Sequence, residues 1–157
     1  MTVTTVTAAK EEDLPAAAVL LGMLFAQEYE FEADPAKQLA GLRLVFDDPK
    51  SGLLLVLRDG EQVVGLANLL YVPSTALGGR TAILDDFIVH PGRRGEGLGD
   101  VLFAGVMSES RAAGCLRLTL QTDRDNVPAQ KLYAKHGLMR SSMLIYKRDL
   151  RASQTPA

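Results

Sequence analysis

Cysteine is nearly absent from this chain: Cys115 is the only one among 157 residues. No intramolecular disulfide can form, and a reducing compartment is expected. Cys115 follows Ala112-Ala113-Gly114 just before a predicted strand, which suits a buried structural thiol rather than a reactive one. A charge excess of either sign is missing too, since 17 Lys and Arg against 19 Asp and Glu leave a net −2. Nucleic-acid domains carry a strong basic excess, so nucleic acid is not an expected partner. No apolar run approaches the ~20 residues of a membrane span, and no basic stretch with an apolar core opens the chain. Neither membrane association nor secretion is expected, leaving a cytoplasmic location. His90 and His136 have no metal-ligand spacing with each other or with Cys115, so no metal is expected. A G-x-S-x-G nucleophile elbow is lacking, which removes the support for an acyl-enzyme route.

What remains is of a size for one domain, expected over residues 1–150 with 151–157 as a disordered tail. Its centre is the stretch 82–107, AILDDFIVHPGRRGEGLGDVLFAGVM. Ile83 to Val89 is apolar apart from Asp85 and Asp86 and reads as a strand. Pro91 and Gly92 stop it, and Gly95, Gly97 and Gly99 follow at alternate positions. A helix-period segment comes next, with Leu98, Val101, Leu102, Gly105 and Val106 on one face. A strand, a glycine turn and a helix start make a site for anionic phosphate. The backbone can approach closely without Cβ atoms, and the first helical turn has spare N–H groups. Arg93 and Arg94 are expected to add mobile positive charge. The P-loop pattern fails for want of Lys-Ser or Lys-Thr, and the dinucleotide fingerprint fails because the glycines run G-x-G-x-G.

Before this centre, Thr2 to Thr7 suits a first strand, and residues 11 to about 30 suit a helix. Asp34 and Pro35 open a second helix that Asp47-Asp48-Pro49 closes. Leu53–Arg58 and Gln62–Tyr71 flank Asp59-Gly60 as a β-hairpin. After the centre, Leu116–Thr122 reads as a strand and Asn126 to Gly137 as a capped helix. Leu138–Lys147 reads as a last strand before a polar tail. The order β-α-α-β-β-β-α-β-α-β predicts a mixed α/β domain with helices on both faces of the sheet.

Arg94-Gly95-Glu96-Gly97-Leu98-Gly99 fits [QR]-x-x-G-x-[GA], and with the preceding strand it resembles the pyrophosphate loop of GNAT-type N-acetyltransferases. Asn126, Ala129, Tyr133, Gly137 and Leu138 resemble that family's N-x-x-A-x-x-x-Y-x-x-x-G-[FL] stretch. The resemblance implies a central, mostly antiparallel mixed sheet of six to seven strands and acetyl-CoA as cosubstrate. It implies cofactor contacts at Phe87, Ile88 and Val89, at Arg94, Gly95, Glu96, Gly97, Leu98, Gly99 and Asp100, and at Asn126. Phe87 to Val89 would lie on a strand end that splays from its neighbour to admit pantetheine. The acceptor would be a small-molecule or peptide amine, and pairing as a homodimer is a further expectation.

Three residues are candidates for the chemistry. The resemblance makes Tyr133 the acid that protonates the departing thiolate. A phenol near pKa ~10 and a thiol near ~8.5 are close enough for efficient transfer; the alternative is a core aromatic. An alkylamine must lose a proton before attack, and Asp85 or Asp86 could take it directly or through water. Adjacent on a strand, the two are expected to point to opposite faces. LDDFIV is similar to LEDFFV-like segments of polyamine acetyltransferases, which favours Asp85. Glu28 to Asp34 gathers acids and aromatics, either a solvated helix end or a surface for a cationic amine. The competing function is an acyl-CoA-binding sensor without turnover.

Overall fold

The computed structural model describes residues 3–28 and 32–151. Five strands form one sheet in the order β1-β2-β3-β4-β5: Thr4–Ala8, Gly52–Asp59, Gln62–Ser74, Gly79–Val89 and Leu118–Leu120. The first four pair antiparallel, and β5 joins β4 in parallel. Helices α1 (Leu14–Phe25) and α2 (Pro35–Phe46) connect β1 to β2. Helix α3 (Leu98–Ala112) connects β4 to β5, and α4 (Val127–Lys135) follows β5.

The central strands are apolar on both faces because both are covered. In β2, Leu54 and Val56 pack under α1 and α2, while Leu55 and Leu57 pack under α3. Strands sandwiched in this way read as continuous apolar runs instead of alternating ones. Leu14, Leu20, Leu21 and Leu42 fill one side, and Leu98, Leu102, Phe103 and Val106 the other. At Gly105 a Cβ would come within 2.6 Å of Val6, so this glycine lets α3 lie close on β1.

Local chemistry sets the helix ends. The buried Asp13 carboxylate accepts from the Lys10 amide at 2.7 Å and from Arg58 of β2 at 2.8 Å, with a second, closer contact to the same guanidinium. That pair ties the start of α1 to the sheet and holds the Asp13 carboxyl below its ordinary range. Asp34 caps α2 by accepting from Lys37 N at 3.3 Å, and Pro35 sits in the first turn, as its fixed φ allows. The β2–β3 turn is displaced by one residue from expectation. Asp59 pairs with Gln62, so Gly60-Glu61 forms the tip, with Gly60 at φ 62°.

The sheet has five strands, not six to seven. Leu138–Lys147, expected as the last strand, pairs with no other strand. From Leu138 to Leu150 the chain runs without a turn or bend, and Met139, Met143, Leu144, Ile145 and Tyr146 are all exposed. The sequence pattern favours a strand there, but a strand also needs an edge to pair with, and that is set by tertiary placement. Residues 152–157, most of the expected tail, lie outside the described residues.

Candidate acetyltransfer site

β4 is hydrogen-bonded to β3 from Gly79 to Val89 but meets β5 only where Ala82–Leu84 faces Leu118–Leu120. Past Leu84 the two parallel strands part, and the outer edge of β4 has no strand partner among the described residues. His90 donates its amide to Val64 O at 2.7 Å. By antiparallel alternation Ile88 and Asp86 also turn their amides toward β3, which leaves the Phe87 and Val89 amides on the open edge. Ile88 is thus different from its two neighbours: its side chain is buried in the core and its peptide is engaged in the sheet.

The open edge runs directly into the glycine turn. Gly95 (φ 82°) and Gly97 (φ 75°) adopt left-handed conformations, and Gly97 is the N-cap of α3. No atom lies within 4 Å of the place where a Cβ would stand at either, so the space above the turn is clear. The first amides of α3, at Leu98, Gly99 and Asp100, have no intrahelical acceptor and carry the positive end of the helix dipole. A cradle with these properties fits a diphosphate.

The two arginines divide their work. Arg93, expected to be mobile, is instead held by Asp59 at 2.8 Å and by Glu96 at 2.8 Å, which offset its charge and brace the turn. Among the described residues the Arg94 side chain donates to the neutral Gln27, at 3.0 Å, and it keeps its charge at the mouth. Glu96 and Asp100 have their carboxylates engaged in ion pairs. Glu96 is bound to Arg93, while Asp100 meets Lys135 at 3.1 Å and His136 at 2.9 Å. These partners, Lys135 first, hold the Asp100 carboxyl low and fasten α4 to α3.

Asn126 caps α4, its Oδ1 accepting from Ala129 N at 3.3 Å. Tyr133, two turns on, packs edge-on against Phe87 (6.3 Å between centroids) and tilted against Phe103 (5.4 Å). Its hydroxyl has no hydrogen-bond partner among the described residues, and burial pushes its pKa up to about 12. Cys115 is half-buried in the same cluster, and burial raises its thiol as well.

Across the sheet lies a cleft of ≈ 470 Å³ between α1, α2 and the middle of β3 and β4. Asp85 and Asp86 both line it. The expectation that they face opposite ways fails because the strand is not regular there. Asn68 pairs with Asp86 and Leu69 with Leu84, so Asp85 is the extra residue of a β-bulge. A bulge breaks the two-residue alternation and re-aims a side chain. Asp86 accepts from Asn68 Nδ2 at 2.9 Å, and burial, reinforced by the Asp85 charge, lifts its pKa to about 6 against the Asn68 bond. Burial raises Asp85 as well. Asn68, 7% exposed, keeps its Oδ1 buried without a partner among the described residues. Sequence reasoning missed this residue; the available signal was one amide inside the apolar run Gly65 to Leu70.

Of the acidic and aromatic stretch expected near the acceptor, Tyr29, Glu30 and Phe31 lie outside the described residues, and Asp34 serves as the α2 cap. No three His, Cys, Asp or Glu side chains gather into a metal-ligand group among the described residues. No described helix is long and apolar enough to cross a membrane.

The sequence pattern of the acetyltransferase (GNAT) family matches residues 20–138, from α1 through the end of α4. The chain belongs to the GNAT acetyltransferase family. Glucosamine 6-phosphate N-acetyltransferase of Trypanosoma brucei brucei is 34% identical over 68 residues, 43% of this chain and 46% of that protein. The chain thus matches less than half the length of that relative. Among solved structures, a possible acetyltransferase from Clostridium difficile 630 superposes with a TM-score of 0.84 at 17% identity, over 96% of this chain and 99% of the other. The aminoglycoside N-acetyltransferase AAC(6')-Iy, solved in complex with CoA, superposes at 0.79 with 16% identity, over 96% and 97%. At these identities the two structures establish the shared fold.

Proposed function

We propose that this GNAT member moves an acetyl group from acetyl-CoA to a primary amine by direct attack in a ternary complex. The observation that carries the proposal is the parting of β4 from β5 at Leu84, which opens a strand edge leading straight to the glycine cradle. The diphosphate fits the amides from Gly95 to Asp100, with Arg94 at the mouth, and the pantetheine arm fits the edge at Phe87 and Val89 and the flank of Asn126. Acetyl-CoA supplies the activated acyl group. The amides of Phe87 and Val89 are the available donors for its carbonyl oxygen, where negative charge grows during transfer.

The acceptor amine enters the cleft on the other side of β4. Asp86 is the base this reading favours, with Asp85 beside it. A carboxylate near pKa 6 is a stronger base than an ordinary aspartate yet still mostly ionised at pH 7. The unpaired Asn68 Oδ1 can accept one N–H of the amine and hold its lone pair toward the thioester, while Asn68 Nδ2 orients Asp86. An orphaned buried oxygen costs ~1–3 kcal/mol, which a bound N–H donor would relieve.

Tyr133 stays the acid, in an altered role. A phenol at about 12 lies ~3.5 units above a thiol of ~8.5, so full transfer to a thiolate is uphill by ~5 kcal/mol. Tyr133 therefore stabilises the leaving sulfur by donating a hydrogen bond, and the proton itself comes from solvent or from the amine. A cytoplasmic setting belongs to the same reading.

The test is thiol release from acetyl-CoA with a panel of an amino-sugar phosphate, a polyamine, an aminoglycoside and a peptide N-terminus. Turnover with at least one amine is expected. Tight CoA binding with no release across the panel would replace the proposal with a non-catalytic acyl-CoA sensor.

A further inference from the structure

The cleft beside β4 has acids on its floor and apolar walls. The floor, on the sheet, carries Asn68, Asp85 and Asp86; the walls are Leu21 and Phe25 of α1 and Leu42 and Val45 of α2. Leu44, which also lines it, is 76% exposed and continues the apolar surface outward. Polar oxygens away from the floor are engaged within the chain. Gln38 Oε1 accepts from the Asp34 amide at 2.7 Å, and Ser51 Oγ donates to Asp48 O at 2.7 Å. Lys37, the one cationic residue among the described lining residues, stands 3.9 Å from Asp34 on an exposed side chain. At ≈ 470 Å³ the cleft falls within the ~300–1,000 Å³ of small-ligand pockets.

Each part restricts the ligand. The Asn68 Oδ1, buried without a partner among the described residues, and the two carboxylates call for N–H donors at the floor. An anionic group beside the nitrogen would be brought against Asp85 and Asp86. Like charges ~5 Å apart in a partly buried site weaken binding roughly 10²-fold. A second ammonium further along the ligand would lie against leucine, away from both carboxylates. Sugar hydroxyls would meet the same walls and lose their water partners without replacement. We propose, on the acetyl-transfer reading of this cleft, that its acceptor is a small primary amine on an apolar body, with no anionic group beside the nitrogen. In the transfer the amine N–C bond forms as the thioester C–S bond breaks. Of the two protons an ammonium loses, one reaches the thiolate and the other leaves through Asp86 to solvent. Asp85 has a selective part, keeping out the carboxylate of an α-amino acid. Gly41 of α2 has another: it lines the cleft, and no atom lies within 4 Å of where its Cβ would stand, so its missing side chain keeps the cleft wide.

The experiment sets phenethylamine against phenylalanine, which differ by one carboxylate, and adds glucosamine 6-phosphate and spermidine. The full-length protein is read in two ways: thiol release from acetyl-CoA, and calorimetric binding of each amine in the presence of CoA. Phenethylamine is expected to exceed phenylalanine by ~10²-fold in kcat/KM and to lead the other two, with the same order in binding. Phenylalaninamide, with the charge removed and the bulk kept, should follow phenethylamine, as should a peptide with an apolar first residue. Asp85→Asn should narrow the phenethylamine-to-phenylalanine ratio about tenfold. Gly41→Leu should cut the use of phenethylamine ~10-fold relative to propylamine, with Tm held or raised because leucine favours a helix over glycine. Equal or better use of phenylalanine, glucosamine 6-phosphate or spermidine would overturn the substrate class and leave acetyl transfer standing. Failure of phenethylamine to bind would overturn it as well. Binding in the expected order without thiol release would remove the reaction and keep the ligand class.

Discussion

The bulged cleft lies along β4 and the glycine turn follows that strand, yet the two are built on opposite principles. In the proposed reading the working groups at Gly95–Asp100 are backbone amides, while Arg93 and Glu96 brace the turn and Asp100 fastens α4 to α3. At Asn68, Asp85 and Asp86 the working groups are side chains, and the backbone serves only to misalign one register so that two carboxylates share a cleft. As proposed, the first region would bind through shape and dipole and needs no perturbed titration. The second depends on burial, which lifts Asp86 to about 6 and leaves an amide oxygen of Asn68 without a partner among the described residues. A site of the first kind is rigid and general to one ligand. A site of the second kind can change its chemistry with a single residue.

Substitutions should separate the two. Tyr133→Phe removes the proposed hydrogen-bond donor to the leaving sulfur and lies outside both regions; it is expected to lower kcat by ~10²–10³-fold with little change in CoA affinity. Its hydroxyl has no partner among the described residues, so thermal stability should hardly move; a collapse of Tm would mark the residue as structural instead. Gly97→Val forces a branched side chain into a left-handed position and into the clear space above the turn. Loss of two charge-assisted hydrogen bonds would weaken CoA binding by roughly 10²-fold or more, read by calorimetry. The acceptor KM should be spared.

Asp86→Asn works on the other region. Turnover should fall, and the acid limb of kcat/KM near pH 6 should disappear from the pH profile. Stability should move the opposite way. A carboxyl raised in the folded state contributes stability that is complete below its unfolded pKa near ~3.8 and lost as pH rises through about 6. Asp86→Asn is therefore expected to raise Tm by a few degrees at pH 7, consistent with ~1–2 kcal/mol, and to give no gain near pH 3. An unchanged Tm at both values would remove the burial argument. Asn68→Ala removes the bond that holds Asp86 down, so the acid limb should shift above 6 while the amine KM rises about tenfold, the worth of one hydrogen bond. Smallest of all, Arg94→Gln should weaken CoA only a few-fold, and the loss should shrink with added salt, as for an exposed charge.

The legibility of the two regions follows from the same difference. Glycines at alternate positions after an apolar strand are a local pattern, since the conformations they permit are decided within a few residues. Asn126 as a cap, Asp34 with Pro35, and the β2–β3 hairpin were legible for that reason. The bulge was not, because whether Asp85 and Asp86 diverge depends on how β3 aligns across from them, some 17 residues upstream. Asn68 was hidden for the same cause: an amide in an apolar strand has meaning only once its cross-strand partner is known.

From the chain of residues alone came the order of elements through α4, the glycine turn with its following helix, and the family to which the pattern belongs. All of these rest on periodicity, turn chemistry and backbone freedom, which act over short stretches. Only the tertiary structure decided that β4 leaves β5 at Leu84, that the two aspartates face one cleft, and that Leu138–Lys147 finds no edge in its own chain. Each of those depends on which distant segments meet, and hydrogen-bond register and burial exist only after they have met.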